Sequence, residues 1–184
     1  NVDNSTANLL ATGGGTLVVT NDGGTFRTSL VTLGTDRSGK TTVDLSGLGA
    51  FLMDLGTGSM VLSVAGDNNA ADRSVMILSA SNAIRAASVT IGASNIGAIN
   101  QLRLGAGTNI LFVDRLNLGT VGRDCGSVVF DGAAGGLLLR DSTGAGRLDV
   151  TLGTNANGTG YPAANLFDVT GHPADLLIGT LRMG

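Results

Sequence analysis

Residues 81–92 (SNAIRAASVTIG) and 108–119 (TNILFVDRLNLG) align without a gap at an offset of 27. Asn82 falls on Asn109, Ile84 on Leu111, Val89 on Leu116, Ile91 on Leu118 and Gly92 on Gly119. Self-similarity at a fixed period marks stacked repeat architectures, so this match restricts the fold more than any other feature. Leu116-Asn117-Leu118 and Leu102-Arg103-Leu104 alternate apolar and polar, which turns two side chains inward and one outward on a strand. Gly follows at once, where the chain turns and φ is often positive. So short a unit cannot bury its inner face alone. Stacked copies bury a continuous core.

Three further alignments extend the pattern. At the same offset, Val75 and Ile77 fall on Leu102 and Leu104. Residues 55–64 (LGTGSMVLSV) align with 104–113 (LGAGTNILFV) at an offset of 49, and 10–19 align more weakly with 55–64 at an offset of 45. A third element is Leu-Gly-Thr, a polar loop, then a hydrophobic-Asp-hydrophobic-hydroxyl-Gly box. It occupies 33–47 and 152–171, and the copies differ mainly in loop length. The expected fold is therefore all-β: a right-handed parallel β-helix, or β-solenoid, forming a single domain over 1–184. With about 20–25 residues per coil, it has about eight irregular coils. At ~4.8 Å per coil the rod is near 40 Å long. The competing fold is an antiparallel sandwich or barrel. Its best support is Asp22-Gly23, a hairpin turn candidate between two β-like runs, whereas Asp131-Gly132 and Asn157-Gly158 sit in longer loops.

Composition agrees with this. Every acid is Asp, with no Glu, and Lys40 is the one lysine beside ten arginines. Glu and Lys favour exposed helix faces, so their scarcity argues against helix. There are 30 glycines but only two prolines and no G-X-Y period, which excludes collagen. Aromatics are 3% of the chain, so Leu, Val, Ile and Ala must fill the core. A net charge of −3 without a basic block lacks the footprint of a nucleic-acid binder. No run approaches the ~18 apolar residues of a membrane helix, so no membrane insertion is expected. Cys125, the one cysteine, reads as a small buried hydrophobe. The chain opens Asn-Val-Asp without Met or signal peptide, as expected of a processed product or a segment of something longer.

The stretches LRLGAGTNILFVDRLNLGT (102–120), VVFDGAAGGLLLRDSTG (128–144) and RLDVTLGTNANGTG (147–160) resemble bacterial surface proteins with autotransporter-associated β-strand repeats. The resemblance runs from Leu30 onward. It implies a parallel β-helix, an extracellular or cell-surface location, and a passenger, adhesin or fibre role in which surface glycans are further partners.

Parallel β-helices also include polysaccharide-active enzymes, which need paired carboxylates. No Asp-Asp pair occurs, and Asn21-Asp22 and Gly171-His172-Pro173 only graze the motifs of pectin-degrading helices. Tyr161 and a few Phe are a thin supply of sugar platforms. His172, the one histidine, precedes a proline and reads as a surface loop residue. No catalytic residue and no cofactor are expected. Residues 34–41 match the phosphate-loop pattern through Gly34, Gly39, Lys40 and Thr41, but Thr42–Gly47 reads as a strand where a helix is required. Asp67-Asn68-Asn69 is an oxygen cluster better explained by local turns than by a metal. Asn4 and Asn157 head N-glycosylation sequons.

The last ten residues, DLLIGTLRMG, form an apolar strand pattern without a polar cap. An uncapped coil offers bare core and unpaired backbone. Leu176, Leu177, Ile178, Leu181 and Met183 are therefore the expected end-to-end interface. The expected partners are copies of the same chain, joined head to tail in an open filament. A surface adhesin segment is the alternative function, and a polysaccharide-active enzyme the next.

Overall fold

A computed structural model of the chain describes residues 5–28, 39–63, 73–93, 99–120, 124–153 and 165–184. The first coil holds β1 (Ser5–Leu10), β2 (Thr16–Thr20) and β3 (Thr25–Thr28). The second holds β4 (Gly39–Asp44), β5 (Ala50–Asp54) and β6 (Ser59–Leu62). The third is β7 (Arg73–Ile77) with the long β8 (Ser81–Ile91), and the fourth is β9 (Ile99–Leu104) with the long β10 (Thr108–Leu118). The fifth holds β11 (Cys125–Phe130), β12 (Gly136–Arg140) and β13 (Leu148–Leu152). The last holds β14 (Leu166–Phe167), β15 (Ala174–Leu176) and β16 (Ile178–Met183).

Every ladder among the described residues is parallel. One sheet runs β1-β4-β7-β9-β11-β14, and a bent second sheet stacks the remaining strands. This is a parallel β-solenoid, and the antiparallel alternative fails. Asp22-Gly23 does turn the chain, but β2 and β3 on either side pair with β5 and β6 and not with each other.

The chain makes about four turns paired above and below, with a rung at each end paired on one side only. The expectation of about eight coils is thus corrected. The coil is longer than 20–25 residues: Ser5 pairs with Gly39, 34 residues on, and Arg73 with Ile99, 26 on. Each coil carries three strand segments and two corners before a variable connection back to the first sheet, which lengthens it.

The 27-residue match is a physical register. Asn109 lies on Asn82, Leu111 on Ile84, Leu116 on Val89 and Leu118 on Ile91. The box of the LGT-and-box element also stacks. Val43 and Phe167 occupy one inward column through Met76, Leu102 and Val128. Gly119, within Leu118-Gly119-Thr120, takes the expected positive φ of 57°.

Three alignments are corrected. Val75 and Ile77 lie opposite Gln101 and Arg103, while Met76 lies on Leu102 and both are fully buried. Between the third and fourth coils the first sheet repeats at 26 residues and the second at 27, because the corner before Asn109 holds one residue more than the corner before Asn82. Oδ1 of Asn82 accepts from the amide of Ser79, three residues back, and Oδ1 of Asn109 from that of Gly105, four back. A one-residue slip exchanges inner and outer faces. The offsets of 49 and 45 are not registers either: Ser59 pairs with Ser88, and Thr16 with Ala50. Leu-Gly-x-Gly recurs because two different corners need the same local solution. Leu55 and Leu104 are both fully buried; Gly58, Gly105 and Gly107 run against a neighbouring backbone, and Gly56 against the Asp22 carboxylate. A Cβ on Gly105 would lie 1.7 Å from the carbonyl oxygen of Ser79.

The core is a set of aliphatic columns along the axis, such as Met53-Ile84-Leu111-Leu139 and Met60-Val89-Leu116-Val150. Among the described residues, Phe51 is the one fully buried ring. Each fully buried Leu, Ile, Val or Met contributes ~1.5–3 kcal/mol of transfer free energy. At the corner between the sheets the interior turns polar. Asn82 donates to Oδ1 of Asn109 at 2.8 Å, and Asn109 donates to the carbonyls of Gly105 and Gly136.

Candidate functional site

The five residues expected at the interface all lie on the last rung. Leu176 stacks on Leu139, Leu181 on Val150 and Met183 on Leu152, so all three continue inward columns. Leu177 forms the corner, donating its amide to Leu139 and accepting from Leu148. Ile178 packs against the core beside Leu176. Farther along β16 the inward column is bare: Leu181 is 53% exposed and Met183 72%.

The opposite end repeats this pattern and was not anticipated from the sequence. Leu9 belongs to the inward column of Val43, Met76 and Leu102 yet is 53% exposed. Leu17, Val19 and Phe26 continue inward columns and are only partly buried. The signal was available in Leu9-Leu10 and Leu17-Val18-Val19, apolar runs like the one at 176–178. Among the described residues, both end faces thus present core side chains and a strand edge with no ladder partner.

Stacking also builds a lateral groove of about 530 Å³, lined by Asp22, Asp54, Arg85, Asp114 and Ser142 among others. Its carboxylates are committed to the scaffold. Asp22 accepts from the amide of Thr57 at 3.2 Å, Asp54 from that of Gly56 at 2.9 Å, and Asp114 from that of Ser142 at 2.9 Å. Arg85 pairs with Asp54 at 3.3 Å and donates through Nε to the carbonyl of Ser142. Among the described residues, no group of three His, Cys or Asp side chains is arranged to hold a metal ion.

Asn21-Asp22 and His172, the faint enzyme motifs, lie on the first and last rungs and do not meet. His172 is more than a surface loop residue. Its ring stacks on Phe130 at 3.6 Å between centroids, and Nδ1 lies 3.2 Å from the carbonyl of Gly135, tying the fifth coil to the last. Asp168 is held below the usual carboxylate range by the backbone amide and hydroxyl of Thr170 and, more weakly, by His172. Asp44 is lowered in the same way by the hydroxyl and amide of Ser46. Asp141 is lowered by the hydroxyl of Thr143 and the amides of its own turn. Burial pushes the Cys125 thiol up, with Asp124 adding to the shift. Lys40 and Thr41 lie on strand β4, with no helix following them. Asn4, Asp67-Asn68-Asn69, Asn157 and Tyr161 lie outside the described residues.

Compared with protein-family models, with curated proteins and with solved structures, the chain gives no significant match to any of them.

Proposed function

We propose that this chain is an extracellular structural protein whose solenoid subunits assemble end to end into a fibre, without catalysis and without a cofactor. The exposure of inward-column side chains on both end rungs carries the reading: Leu9 at one end, Leu181 and Met183 at the other. Such side chains are normally covered, because bare core and an unpaired strand edge are costly in water. A head-to-tail contact is heterologous and does not close, so it propagates. The coil is right-handed in this proposal, as ~98% of parallel crossovers are. The partners are copies of the chain, on or outside the cell surface.

A surface adhesin segment is the second reading. It is favoured by the lateral groove and by the outward apolar column Val18-Leu52-Ala83-Ile110-Leu138, which runs along one flank beside it. Surface glycans are the partners it would take.

Light scattering on the 184-residue chain across a concentration series tests the first reading. We expect mass to grow with concentration, and Leu181→Asp with Met183→Asp to leave a folded monomer. A wild-type chain that stays a monodisperse monomer throughout overturns it.

A further inference from the structure

The columns specify how two copies would meet. Following the register through the coils, Leu9 shares a column with Phe167, Val19 with Leu176, and Phe26 with Leu181. The strands of the first and last rungs run in the same direction, since every intervening ladder is parallel. A second copy laid on the last rung with its columns continued therefore sets apolar side chain on apolar side chain in all three columns. It also extends both sheets with the pairing already used inside the molecule.

The same superposition brings one like-charged pair together. Arg27 lies in the outward column Val61-Thr90-Asn117-Thr151-Arg182. Arg27 is exposed, and its partner on the next rung is the uncharged Val61. Arg182 is also exposed and has one described carboxylate within reach, Asp149 at 3.9 Å. Across an in-register junction the two guanidinium groups belong to residues directly opposite each other on adjacent strands, ~4.8 Å apart at the backbone. Like charges so placed are destabilising, and at exposed positions salt screens them.

We infer that end-to-end contact is made in column register by a second copy of this chain, and that Arg27 of one copy facing Arg182 of the next sets its strength and makes it salt-dependent. This rests on the end-to-end reading above.

The test is the critical concentration for assembly, measured by sedimentation at low and high ionic strength, with circular dichroism confirming that each variant is folded. Wild type should assemble at lower concentration as salt rises. Arg27→Asp replaces repulsion by attraction and should lower the critical concentration by about tenfold at low salt. Its salt dependence should reverse. General charge repulsion predicts the opposite, because the substitution takes the net charge from −3 to −5. Arg182→Asp provides the reciprocal variant, and the double variant Arg27→Asp/Arg182→Asp should return towards wild type. Assembly of wild type with no gain from Arg27→Asp or Arg182→Asp overturns this inference and leaves the end-to-end reading standing. Absence of wild-type assembly at every salt overturns both.

Discussion

At the scale of single residues, the polar interior corner and the aspartate turns are the positions where small changes matter most. Asn109 accepts from Asn82 and from the amide of Gly105, and it donates to three carbonyls. Asn109→Ala leaves the Gly105 amide and those carbonyls without that partner inside the protein. Loss of about 2–4 kcal/mol is expected. A urea midpoint equal to wild type would contradict this. The aspartates give a pH dependence of defined sign. Asp44, Asp141 and Asp168 all have folded-state values below the ordinary carboxylate value. Their contribution is therefore fully present above the unfolded value of ~3.9 and is lost as pH falls through the lower folded values. Denaturation midpoints should be flat from neutral pH down to about 5 and fall below about 4. Asp141→Asn should flatten that acid limb. A limb unchanged by Asp141→Asn would remove this turn from the account.

At the scale of strands and corners, register decides which face of a residue the core meets. Met76 is fully buried and Val75 half-buried on the outer face, although an ungapped offset of 27 puts Val75 inside. Met76→Asp should abolish cooperative unfolding, since it places a lone carboxylate in an aliphatic column. Val75→Thr should cost less than about 1 kcal/mol. Equal effects would show that the slip is not there. The comparison also marks what was legible. Pairs such as Asn82 on Asn109 could be read to the residue, because β8 and β10 are long and carry the same sequence of inward side chains. The slip in β7 against β9 could not, because it depends on one residue absorbed at a corner where Ser79-Ala80-Ser81 faces Gly105-Ala106-Gly107-Thr108. The offset-49 match misled because Leu-Gly-x-Gly answers the steric demand of any tight corner, not of one corner. The strand Ile178–Met183 was legible from its apolar pattern. The lateral groove was not: Asp22, Asp54, Arg85 and Asp114 lie about one coil apart in unlike surroundings, and only the register gathers them.

At the scale of the whole molecule, the end-to-end reading rests on core columns that, among the described residues, are buried in the middle rungs and exposed at Leu9, Leu181 and Met183 on the first and last. Among the described residues the rod has six rungs. At ~4.8 Å per rung an in-register polymer has an axial period of about 29 Å. Electron micrographs of the negatively stained 184-residue chain test this most directly. Unbranched filaments one solenoid wide, with an axial period of about 29 Å, are the predicted result. Separate particles of single-rod length at concentrations well above those of ordinary protein association would contradict it.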